Sequence, residues 1–488
     1  MLNYWCSHRS YLHRLSVGIH SIDLSQKSRL AGMGIIVKKL KLLNLDPVGK
    51  LLRPYYSNTG RPAKNQAEIL RSFILMSALD YTSITKWVSD LSHDSLYALL
   101  VGCDIADLPP LGSYYDFISR LWLRKSEYEK AGRKDFFPAN KNSKPKAKPG
   151  TDRKLPNRHP GIVEKTVNYI LADKEIPFHY EKLLQEIFSA AAVKPSIRSG
   201  LIPKGGATVS GDGTCIHTHS NPYGNKVRDC DKKSSSCKNC LRHYSDPDAS
   251  WGYDSDLKAS YFGFTMYSLS FHNEEHNVDL PLHFRILDAR RHDSVSGVIC
   301  LKEFRDINPD FYIKNLCLDS AHDNYPTYNL CKNWDINPFI DLNSGRGRPD
   351  SIPDNISIDK DGTPICSAGF RMAYCGNCYS RNRVKWRCPA KCDKSVTCPL
   401  EKPCSPSSYG RCIYTKPDWD IRLYPPVARG TEAFKEIYKN RTASERINNR
   451  VLNDYHLHDM HIHRRKRYSF FAMIIGINIH LDARVKIY

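Results

Sequence analysis

The order of apolar runs between residues 207 and 342 constrains this chain most. Runs rich in β-branched and aromatic residues lie at about 207–215, 261–271, 280–288, 313–319 and 337–342, with helical periodicity at 294–304 and 325–333. Three strands, a helix, then alternating strand and helix predict an α/β unit on a mixed sheet. The first run carries Asp212 in Gly-Asp-Gly-Thr, and the fourth ends on Asp319 in Asp-Ser-Ala-His-Asp. Both read as strand-end acids, and their carboxylates can meet only if the first and fourth strands are neighbours.

A third acid stands far downstream. Tyr438, Arg441 and Glu445 are spaced i, i+3 and i+7, which puts all three on one face of a helix. Two hard oxygen ligands from strands and one from a helix suit a pair of Mg²⁺ (or Mn²⁺) ions roughly 3.5–4 Å apart, the geometry that stabilises both the attacking and the leaving oxygen in phosphodiester chemistry. Taken singly, an Asp-Gly is more often a turn and a helix carboxylate a solvated face. Their order and spacing carry the reading.

With these residues the chain resembles the DDE transposases of bacterial insertion sequences, in the branch whose third acid lies in a Tyr-(2)-Arg-(3)-Glu-(6)-Lys signature. The resemblance covers roughly residues 50–120 and 205–485. It implies an RNase H-like mixed-sheet core in which Asp212, Asp319 and Glu445 bind catalytic Mg²⁺. It also implies hydrolysis at the element's ends, transfer of the freed 3′-hydroxyl to target DNA, and at least a homodimer in the active complex. Tyr438 and Arg441 would position DNA. One departure is visible: the residue seven after Glu445 is Leu452 where the pattern has lysine. Other basic residues must then hold the DNA, with Arg450, Arg464 and Arg465 the candidates.

The formal net charge of +21 favours a polyanionic partner, double-stranded DNA first. An anionic membrane is the rival, but the longest apolar stretch, Phe470–Leu481, contains Asn478 and His480 and is too short to span a bilayer. It reads as a buried helix. The first residues lack the apolar core of a secretory signal, so a cytoplasmic, nucleoid-associated protein is expected.

Five segments are expected. Residues 32–123 read as a helical domain, with Thr82 or Ser83 capping a helix that carries Trp87. It resembles the N-terminal domain of many such transposases, an ordinary helical bundle being the alternative, and Arg61, Lys64 and Arg71 are candidate phosphate contacts. A lysine- and proline-rich linker follows at 124–160, then the first part of the core at 161–344, a Cys-rich insertion at 345–430, and the part carrying the third acid at 431–488. His292 and Asp293 are expected to start a core helix, with Asp293 or Ser294 as N-cap.

The 17 cysteines cluster unevenly, which in a reducing compartment suggests metal before disulfides. Cys375, Cys378, Cys388 and Cys392 have spacings suited to structural Zn²⁺, with Cys398, Cys404 and Cys412 nearby. Basic and aromatic residues interleaved there suit DNA as well. Cys230, Cys237, Cys240 and His243 form a weaker second group. The pair His217/His219 and the set His456, His458, His461 and His463 read as surface histidines rather than ligands. A non-catalytic zinc-dependent DNA-binding protein, a decayed transposase and a nuclease that does not join strands are the alternatives.

Overall fold

The computed structural model describes residues 2, 4–122, 160–174, 181–226, 242–255, 257–345 and 348–488. The expected linker therefore lies almost wholly outside the described residues, as do Cys230, Cys237 and Cys240.

A mixed parallel and antiparallel sheet forms the centre. Its strands are β1 (Gly205–His217), β2 (Ser250–Asp254), β3 (Ala259–Asn273), β4 (Val278–Asp288), β5 (Tyr312–Leu318) and β6 (Asn337–Ile340). β3 is antiparallel to β1 and to β4, whereas β5 is parallel to β1 and β6 is parallel to β5. The spatial order is therefore β4-β3-β1-β5-β6, with β2 extending the β4 edge along the first residues of β3. The required neighbour relation holds, since Ser210 of β1 lies beside Cys317 of β5, two residues before each acid.

Helices cover the sheet. Asp293–Ile307 follows β4, and Tyr325–Asn333 joins β5 to β6. The cap differs from expectation: His292 accepts the Ser294 amide, and Asp293 sits inside the first turn. Glu432–Tyr438, a 3₁₀ turn at Lys439–Arg441 and Thr442–Asn449 run on as one helical path across β1.

The apolar stretch near the C-terminal end is the buried helix it was expected to be. Arg465–Ile487 is buried almost continuously from Tyr468 to Leu481. One side packs on β4, where His480 Nε2 lies 2.7 Å from the Pro281 carbonyl; the other meets N-terminal helices, where Asn478 donates to the Ile74 carbonyl and Phe470 stacks edge-on to Phe73. His480 and the Asn478 amide nitrogen thus find partners inside the core, while Asn478 Oδ1 is buried without one. No helix among the described residues is long and apolar enough to cross a membrane.

The N-terminal region begins earlier than residue 32, with helices at His8–Ser21 and Leu24–Gly32. Its apolar residues join those of the sheet in one continuous core. Ser83 caps the helix Ile84–His93, as expected. Arg71 contacts no phosphate: it is fully buried, stacked on the Tyr11 ring at 3.6 Å and donating to the Val101 carbonyl. Arg61 and Lys64 are exposed. Beyond β6, a three-stranded sheet of β7 (Ala373–Cys378), β8 (Arg383–Arg387) and β9 (Cys412–Thr415) packs Trp386, Val384, Ile413 and Met372 into a small core of its own.

Candidate functional site

The three acids lie within electrostatic reach of one another beside the central strand, and among the described residues no three of the carboxylates there come within 4.8 Å of one another. Asp212 lies within β1 and Asp319 directly follows β5, so parallel pairing brings them side by side. The helix Thr442–Asn449 is fastened to β1 by two hydrogen bonds one turn apart: Ser444 Oγ donates to Ser210 Oγ at 2.6 Å, and Asn448 Nδ2 donates to Asp212 Oδ2 at 3.1 Å. Ser268 of β3 in turn holds the Asn448 carbonyl at 2.8 Å. Glu445, between these anchors, is exposed and pairs with Arg441 at 2.8 Å.

A fourth carboxylate joins them. Asp293 is close enough to Asp212 to be the largest charge acting on it, ahead of Asp319 and Glu445. A Cβ at residue 213 would overlap the Asp293 carboxylate, so a glycine directly after Asp212 makes room for it. In the sequence Asp293 looked like a helix cap. The available signal was an acid opening the helix that joins β4 to β5, legible only once the sheet order is known.

Burial pushes the Asp212 carboxyl up to about 7, with repulsion from Asp293, Asp319 and Glu445 adding to it and Arg441 offsetting part. Burial also raises Asp293, against the pull of His322. Asp319 goes the other way. Burial works against its charge, but the His322 ring, the Ala321 amide and Arg441 outweigh it and hold the acid below its ordinary value. His322 Nδ1 lies 2.6 Å from Asp319 Oδ1, and its Nε2 lies 2.9 Å from the Tyr267 hydroxyl. A Cβ on Gly297 would strike both of those partners. His322 and Tyr267 therefore orient Asp319, and neither was singled out from the sequence.

Tyr438 and Arg441 sit at the rim. The Tyr438 hydroxyl reaches the Leu318 carbonyl at 3.4 Å, and burial, followed by Asp341, raises its pKa. Burial disfavours the charge on Arg441, but Tyr438, Glu445 and Asp212 more than compensate. Two clefts lie near the acids, one lined by Asp293 and the other by Tyr438 and Arg441 together with Asp341, Asp359 and Asp361. One of about 920 Å³ runs past Gly213, His217, Trp251, Tyr253, Arg290 and Asp293; the other, about 1000 Å³, runs past Arg348, Lys360, Lys435, Tyr438, Lys439 and Arg441.

The remaining candidates are placed less centrally. Arg450 pairs with Asp482 at 3.0 Å, so it braces the core. The helix loosens into a π turn at Arg450–Asp454, and Leu452 faces inward, 6% exposed. A lysine at this position would lose its hydration. Arg464 caps the last helix, its amide donating to Asp246; Lys466 reaches Ser119, and Arg467 lies over Tyr115. Arg465 acts on the buried Glu181. The histidines are held by local contacts. His217 stacks on Tyr261, His458 and His219 reach the Cys215 and His458 carbonyls, His456 meets Asp459, and His463 meets Ser220. His461 stacks on His219.

A separate group was not foreseen. Among the described residues, His283, Cys300 and Glu303 have ligand atoms within 4.8 Å of one another and could hold a metal ion. They face each other across β4 and the helix Asp293–Ile307, beneath the surface. Burial lowers His283 to about 3 and raises Cys300 to about 12, while Arg285 is ion-paired with Glu303. No protein-family model matches this chain, and no curated protein matches it in sequence.

Proposed function

We propose that the protein is a DNA transposase of the DDE type, cutting the ends of its element by metal-dependent phosphodiester hydrolysis and joining the 3′-hydroxyl to target DNA. The observation that carries this reading is the meeting of Asp212, Asp319 and Glu445 from a central strand, its parallel neighbour and a C-terminal helix, on a sheet of order β4-β3-β1-β5-β6. That order, with one antiparallel pair on each side of β3 and two parallel pairs beyond, supports reading the core as RNase H-like.

The donor set fits a hard divalent cation, because four carboxylates gathered beside one arginine repel one another until positive charge is added. Asp212, Asp319 and Glu445 would hold Mg²⁺, with Asp293 alongside. When bound, such ions polarise the scissile phosphate and lower the pKa of water. The chain's own groups do the rest. Asn448 fixes the rotamer of Asp212, His322 and Tyr267 fix that of Asp319, and Arg441 is placed to exchange its Glu445 partner for a phosphate oxygen. The lysines and arginines of the larger cleft would track the backbone, and Trp251 and Tyr253 of the smaller one offer stacking faces.

The test is a cleavage and strand-transfer assay with Mg²⁺ on DNA carrying the gene's own flanking ends, comparing the wild type with Glu445→Gln. Cutting and joining by the wild type alone supports the proposal. Binding without metal-dependent cutting in either protein would favour a DNA-binding protein or a decayed copy, and cutting without joining a nuclease.

A further inference from the structure

The Cys-rich segment after β6 carries a second inference, independent of the acids. β8 is flanked by β7 and β9, with Ala373, Arg387 and Cys412 in register across the three strands. Cys375 lies two residues beyond Ala373 on β7, and Cys388 directly follows Arg387, its amide donating to the Arg411 carbonyl at 2.9 Å. The short segment 409–412 is the meeting point. The Tyr409 hydroxyl lies 3.3 Å from Cys375 Sγ, a Cβ at Gly410 would come within 2.9 Å of Cys388 Cβ and of the Lys391 side chain, and Cys412 follows on β9. The four-residue helix Pro389–Cys392 thus brings Cys392 to the same corner.

Cys375, Cys388 and Cys412 all lie within electrostatic reach of Cys392. Cys378 turns away, its sulfur 3.7 Å from the Ser380 hydroxyl in its own turn. All the described cysteines are free thiols. No three of them lie within 4.8 Å of one another, so an ion would draw the side chains inward.

We propose that Cys375, Cys388, Cys392 and Cys412 form a structural Zn²⁺ site that staples β7 and β9 to the end of β8. Cys412 thereby takes the place that sequence spacing gave to Cys378. Binding converts four thiols to thiolates and releases their protons to solvent. The resulting site carries a formal charge of −2, faced by Lys385 and Arg387, both of which lie over the Tyr409 ring. With four sulfur ligands it is closed, as structural zinc sites are. The small core around Trp386 and Ile413 is modest for a free-standing unit, which is where a metal staple adds most.

The experiment uses the full wild-type chain purified in a non-thiol reductant. Zinc content is measured first. The protein is then alkylated with a maleimide before and after chelation, and the modified cysteines are located by mass spectrometry. The expected result is one zinc per chain, with Cys375, Cys388, Cys392 and Cys412 protected until chelation while Cys378, Cys398 and Cys404 react throughout. Less than a tenth of a zinc per chain, or protection of Cys378 in place of Cys412, overturns the assignment. Cobalt loading of Cys412→Ser and Cys378→Ser gives a second reading: the tetrathiolate spectrum is lost in the first and kept in the second, and the reverse pattern also overturns it.

Discussion

At the scale of single residues, the central fact is one acid held against its own charge. Asp212 has a folded-state value near 7, well above an unfolded aspartate. Between those two values the folded chain keeps a proton that the unfolded chain has released, so this group makes stability fall as pH rises from about 4 to 7. Asp319, held low, does the opposite: its stabilisation is present above the ordinary aspartate value and is lost as pH falls below it. In chelator, Asp212→Asn is therefore expected to be more stable than the wild type at pH 7.5, by roughly 2–4 kcal/mol, with the gap narrowing at pH 5. Mg²⁺ should stabilise the wild type and not the variant. Urea unfolding at the two pH values measures this, and a variant less stable at both would remove the repulsion argument. Asp293→Asn tests the fourth carboxylate. It should lower the cleavage rate and raise the Mg²⁺ concentration needed for half-maximal rate, whereas an unchanged metal requirement would reduce Asp293 to a helix-start residue.

At the scale of elements, much was legible because period and punctuation agreed. The runs at 207–215, 261–271 and 280–288 became β1, β3 and β4 with a few residues added at their ends, and the helix expected at 325–333 kept its bounds. The placement of Asp319 after a strand and of Glu445 on a helix was readable because the pattern fixes those elements, whereas Asp212, expected at a strand end, lies in the middle of β1 because that strand runs on to His217. Asp293, His322 and Asn448 were not, since their roles depend on which helix lies over which strand. Arg71 misled for a similar reason: a basic residue in an apolar helix reads as a surface charge until the Tyr11 ring is seen beneath it. The helix Arg465–Ile487 has apolar residues all round because it is covered on both sides. Phe470→Ala should cost about 3–5 kcal/mol in global unfolding, as expected for a buried aromatic ringed by Phe73, Phe117 and Phe471. A loss below about 1 kcal/mol in chemical denaturation would mean the helix is peripheral.

At the scale of the whole molecule, that helix makes the N-terminal helices and the sheet parts of one body. Their buried residues form one continuous cluster, and Lys39 and Arg450 share Asp482 across the junction. A chain begun at residue 160 is therefore expected to expose the apolar face of Arg465–Ile487 and to aggregate, where a separable N-terminal domain would leave a monodisperse core in size-exclusion chromatography. The same architecture holds the acids on elements fixed from several sides, with a basic cleft beside them. The measurement that tests this account most directly replaces Asp319 by cysteine and follows cutting of the flanking-end DNA in Mg²⁺ and in Mn²⁺. A carboxylate ligand exchanged for a thiolate should abolish cutting in Mg²⁺, which demands oxygen donors, and restore part of it in Mn²⁺. Undiminished cutting by Asp319→Cys in Mg²⁺ would contradict the assignment of the site.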